Sequence, residues 1–126
     1  MKHFLLLLLL LCQMNQAQAL HREAMACTHE ALSLQREDNF QQYLVLSKQA
    51  FEKEKAAACL LFDEFDAEPT RSVLFRSAAQ LPFHCGRIRD AQQLIAAALA
   101  GNPPAEIMYE LRQLSKNVLL AFEQAV

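Results

Sequence analysis

SVLFRSAAQLPFHCGRIRDAQQLIAAALAGNPPA, residues 72–105, decides how this chain folds. Its first half places Leu74, Phe75, Ala78, Ala79 and Leu81 at helical intervals of three and four. Its second half does the same with Ile88, Ala91, Leu94, Ile95, Ala98 and Leu99. Gly86 offers a turn between the two, and Gly101 with Asn102, Pro103 and Pro104 ends the second helix and resets the backbone. Two short helices turned back on each other are expected. Pro82 lacks an amide donor, so a kink is expected there, or a shortened helix with Phe83 and His84 in a turn.

Phe75, Ala78, Ala79, Gly86, Ala91, Ile95, Ala98 and Pro103 fall where a tetratricopeptide repeat carries its aromatic, small, turn, bulky and terminating residues. The stretch covers one full unit of about 34 residues and resembles that repeat. The wording around it, EPTRSVLFRSAAQL followed by AGNPPAEI with LHREAM upstream, is similar to a family of uncharacterised bacterial proteins with tetratricopeptide-like helical pairs. That resemblance spans most of residues 20–114. It implies an all-α superhelix of two helical pairs plus a C-terminal capping helix, and it brings no substrate or catalytic residue with it.

Upstream, Leu20, Ala24, Cys27, Ala31 and Leu34 are spaced 4, 3, 4, 3, which makes one stripe of a helix over residues 20–36. His21, Arg22, Glu23, His29, Glu30, Gln35 and Arg36 form its solvated side. Asp38 and Asn39 break the helix and can cap the next one. A second helix is expected over residues 40–64, with Phe40, Tyr43, Leu44, Ala50, Phe51, Ala57, Ala58, Leu61, Phe62 and Phe65 on a wide apolar side. This pair matches the repeat more weakly, because Tyr43 stands where a small residue is usual and Lys55 where a proline would end the unit. Asp63, Glu64, Asp66 and Glu68 cluster near its end, without the alternating oxygens and central glycine of a calcium loop. Pro69 then blocks continuation, and Thr70 or Ser72 can cap the third helix. A last helix starts near Pro104, with Ile107, Leu111, Leu114, Val118 and Phe122 as its stripe and the role of covering the apolar edge of the last pair.

The N-terminus has a different grammar. Met1, Lys2 and His3 make a basic start, residues 4–11 an unbroken apolar run, and Ala17, Gln18 and Ala19 a small-residue close, so a signal peptide over residues 1–19 is expected, cut after Ala19. The mature domain is then residues 20–126, exported to a periplasmic or secreted location. A membrane span is disfavoured, because the apolar run falls well short of the roughly 20 residues a bilayer core needs. The alternative is a small cytoplasmic accessory or regulatory protein started at Met14, since the helical pattern that Met14 opens runs straight through the proposed cut.

With 53% apolar residues the chain has enough to fold. Its formal charge of −2 leaves no basic excess for phosphates, which disfavours nucleic acid as a partner. Removal of a leader takes Cys12, and the odd remainder of Cys27, Cys59 and Cys85 argues for small buried thiols rather than a disulfide scaffold. Cys85 beside His84 is not a nucleophile and base pair, because neighbours on a helix point about 100° apart. No spacing among His21, His29, Cys59 and His84 suggests a metal, and no cofactor motif is present.

Binding is the remaining function, with a protein or peptide as partner and self-association left open. The resemblance places the first helix of each pair on a concave surface, which exposes Thr28, Leu32, Gln35 and Arg36 from one pair and Arg76, Gln80, Phe83 and His84 from the other. Arg36 and Arg76 suit a carboxylate or acidic peptide, and Phe83 an apolar contact.

Overall fold

The computed structural model describes residues 2–36, 39–84 and 87–125; the side chains of Arg36, Phe83, His84 and Ala125 lie outside what it describes. It is all-helical, with five helices: α1 (Lys2–Arg36), α2 (Phe40–Leu60), α3 (Thr70–His84), α4 (Ile88–Leu99) and α5 (Ala105–Ala125). No strand occurs among the described residues. The chain divides into two compact units, Met1–Glu64 and Phe65–Val126.

The first unit is a hairpin of α1 and α2. Its seam is made of alanine at heptad spacing, Ala17, Ala24 and Ala31 from α1 against Ala50, Ala57 and Ala58 from α2, all buried. Side chains this small let two helix backbones approach closely along an i, i+7 row. Asn39 caps α2, its side chain accepting from the Gln42 amide at 3.4 Å. Asp38, the other expected cap, lies outside the described residues.

Three expectations for this unit change. Residues 2–19, expected as a leader, are continuous with the first helix, because nothing in residues 13–19 breaks it. Then α2 stops at Leu60 instead of near Glu64, with the Leu61 and Phe62 amides closing on Ala58 and Cys59 carbonyls. Past that point Phe62 is exposed, as are Phe40 and Leu44 earlier in α2, so the wide apolar side narrows to Ala50, Phe51, Ala57, Ala58 and Leu61. Finally, Cys59 is exposed and Cys27 half-buried; with Cys12 these thiols are free, and Cys85 lies outside the described residues.

The length of α1 has a consequence. At 1.5 Å per residue α1 runs roughly 52 Å and α2 roughly 31 Å, so about 14 residues at the start of α1 have no α2 beside them. These carry the apolar run, and Phe4 to Leu9 are between 47% and 66% exposed on every side of the helix. Lys2–Gln35 is long and apolar enough to cross a membrane by length and composition alone.

In the second unit α3 and α4 pack together and α5 covers both. Leu74, Phe75, Ala78 and Ala79 of α3 and Ala91, Leu94, Ile95 and Ala98 of α4 are buried, with Leu111, Leu114 and Val118 of α5 closing the core. Pro103 is buried in the bend before α5. Leu99, expected inward, is on the rim and 38% exposed. Pro82 neither ends α3 nor puts its successors in a turn: α3 carries Pro82 in its last turn and continues to His84. The Pro82 carbonyl accepts from the Arg87 amide at 2.7 Å, so the helix end is closed beyond the proline. Gly86 lies outside the described residues.

The core of this unit also holds a charge. Arg71 is completely buried, its guanidinium between the rings of Phe65 and Phe75 at 4.9 and 5.0 Å, and its Nη2 donates to the Ala97 carbonyl at 3.0 Å. Aromatic faces and the carbonyl end of a helix both favour a cation. A Cβ on Gly101 would overlap Arg71 Nη1, so glycine is needed here for room rather than for an unusual φ.

Candidate peptide-binding cleft

Arg76 lies on α3 five residues after Arg71, on the flank that faces α5 instead of α4. Its Nη1 donates to Glu110 Oε2 of α5, and its Nε is shut off from solvent with no hydrogen-bond partner among the described residues. Gln80 lies about one turn further along α3. From α5 come Tyr109, Glu110, Gln113, Leu114 and Asn117, and together they line one open cleft with Arg76 and Gln80. Their spacing on α5 puts them on one flank, beside the buried row of Leu111, Leu114 and Val118.

The cleft is lined mainly by polar side chains. Three carboxamides, a phenol and a guanidinium donate and accept in several directions, and the single carboxylate, Glu110, already holds one nitrogen of the arginine. A guanidinium can serve more than one acceptor, and the Arg76 side chain remains partly exposed beside its pair with Glu110.

Of the residues expected in a groove, the structure therefore brings Arg76 and Gln80 together. Thr28 and Gln35 belong to the first unit, where Thr28 Oγ1 donates to the Ala24 carbonyl of its own helix at 3.0 Å and Gln35 is exposed. Leu32 is exposed on α1. The side chains of Arg36, Phe83 and His84 lie outside the described residues. Sequence reasoning missed Tyr109, Glu110, Gln113 and Asn117, having given α5 only a covering role. The signal was there: these polar residues recur at helical spacing beside the apolar stripe.

The first unit holds a separate polar feature. His21 Nδ1 lies 2.9 and 2.8 Å from the two oxygens of Glu54, whose side chain is completely buried. Burial pushes the Glu54 carboxyl above the ordinary carboxylate range, and the hydrogen bond and charge of His21 pull it partly back. Beside it Lys53 Nζ meets Glu23 Oε2 at 3.0 Å on the surface, a contact that raises the lysine's pKa. No group of three or more potential metal ligands occurs among the described residues.

Compared with family models, with curated proteins and with solved structures, the chain matches none of them.

Proposed function

We propose that this chain is a tetratricopeptide-like helical domain that binds a protein or peptide and catalyses no reaction. The observation that carries the reading is the open cleft in which the partly exposed Arg76 side chain lies among carboxamides and a tyrosine, which suits an acidic side chain or a terminal carboxylate. The repeat resemblance is supported by burial at Phe75, Ala78, Ala79, Ala91, Ile95, Ala98 and Pro103, the positions where the repeat packs. An array this short offers a shallow surface, so affinity is modest.

Export is the address that best suits the N-terminus. A helix segment apolar on all sides and exposed on all sides is unfavourable in water, at about 25 cal/mol per Å² of apolar surface. Removal after Ala19 disposes of it. The second reading, a cytoplasmic accessory protein begun at Met14, is favoured by Ala17, which is completely buried in the hairpin seam and would be lost with a leader. Mass measurement of the N-terminus from the native host separates the two: Leu20 supports export, and Met14 defeats it.

Binding is tested with a panel of acidic, neutral and basic peptides against the wild-type chain and Arg76→Ala. Carboxylate-rich peptides should bind, and Arg76→Ala should weaken them at least tenfold, or about 1.4 kcal/mol. Binding that ignores the substitution removes the cleft from consideration.

A further inference from the structure

The face of α5 opposite its buried stripe carries Lys116, Leu119, Leu120 and Glu123, at i, i+3, i+4 and i+7, so all four lie on one line of the helix. All four are exposed, with Leu119 at 59% and Leu120 at 53%. Lys116 and Glu123 have no ion-pair partner among the described residues, although four other pairs form. The line is on a different flank of α5 from the Arg76 cleft. It borders a groove between α4 and α5 lined by the exposed Leu99 and Leu119 and the half-buried Phe122.

We propose that this line is a self-complementary surface for a second copy of the chain. Two α5 helices laid antiparallel about a two-fold axis between Leu119 and Leu120 put Leu119 of each copy against Leu120 of the other. The same register brings each Lys116 opposite the other copy's Glu123, because both pairs of numbers share one midpoint. A two-fold contact must be complementary to itself, and here one register satisfies both the apolar and the charged residues. With the leucines shifted by a turn in either direction, the lysine and glutamate lose their partners. The contact buries a few side chains per copy, well under the roughly 1,600 Å² of a standard interface, so the dimer is weak and depends on concentration. It is independent of the peptide-binding reading.

The test is sedimentation of the chain, purified as its host produces it, from about 10 µM to about 1 mM, the range in which a small interface populates its dimer. Wild type should move from monomer to dimer mass. Leu119→Asp with Leu120→Asp should remain monomeric with unchanged helix content, since neither leucine is buried. Lys116→Glu alone and Glu123→Lys alone should each lose dimer, because each sets like charges against each other. An equimolar mixture of these two variants should dimerise again, as both cross-pairs become opposite in sign. A wild type that stays monomeric throughout overturns the proposal. So does a dimer that survives the aspartates, or a mixture that fails to recover association.

Discussion

His21 Nδ1 sits 2.8 Å from a carboxylate oxygen of Glu54, and Glu54 is completely buried in the α1–α2 hairpin. A carboxyl group drawn into an alanine seam is disfavoured as an anion, and the imidazole offsets only part of that. Because its pKa is raised in the folded state, its contribution to stability is complete below the unfolded carboxylate value and is lost as pH rises through the folded one. The hairpin should therefore lose stability as pH rises from below the ordinary carboxylate range through the raised value of Glu54. Glu54→Gln, which is neutral at every pH, should flatten that dependence. Hydrogen exchange of α2 amides as a function of pH reads the effect in this unit alone; equal slopes for wild type and variant would disprove it.

Arg71 and Gly101 make a second coupled pair. Gly101→Ala forces a methyl group onto the buried guanidinium and should destabilise the second unit by about 1–3 kcal/mol, as overpacking does. In an Arg71→Ala background, already weakened by the lost packing between two rings, the same change should cost much less. A double-mutant cycle from denaturation midpoints measures the difference, and additive losses would show that the two side chains do not compete for space.

Arg76 should behave in the opposite way. Its ion pair with Glu110 is partly exposed, and such pairs contribute about 0–1 kcal/mol. Arg76→Ala and Glu110→Gln should each move the unfolding midpoint little. A loss of several kcal/mol would make Arg76 a structural residue and weaken its assignment to binding.

The contrast between these arginines shows what sequence can and cannot say about this fold. Ala91, Leu94, Ile95 and Ala98, like Leu111, Leu114 and Val118, are apolar at helical spacing and buried as their spacing implies. Periodicity sees the side of a helix, and these helices have one dry side each. It is blind to charges that fold inward. His21 reads as solvent-facing and nothing in the spacing singles out Arg71 or Glu54, yet Arg71 and Glu54 are completely buried and His21 reaches Glu54, because each finds a specific partner across a helix pair. Periodicity also overruns ends: the aromatics at Phe62 and Phe65 continue the α2 pattern in sequence while the helix has stopped at Leu60. Of the cleft, Arg76 and Gln80 were visible on the expected face of α3. The α5 half was hidden by the apolar stripe beside it.

The alanine seam gives the last prediction. Ala17 sits at the small position that a signal peptidase would read and also at the start of the row continued by Ala24 and Ala31. A chain begun at Leu20 loses one buried methyl group from that row, about 0.8 kcal/mol, together with the half-buried Leu10, Gln13 and Met14, and keeps the other two alanines along with the His21 to Glu54 contact. It also sheds the exposed residues 4–9. The shortened chain should thus be more soluble while its α2 amides keep nearly the same exchange protection. Loss of protection across α2 would mean that residues 14–19 hold the hairpin together, the outcome expected of a protein begun at Met14.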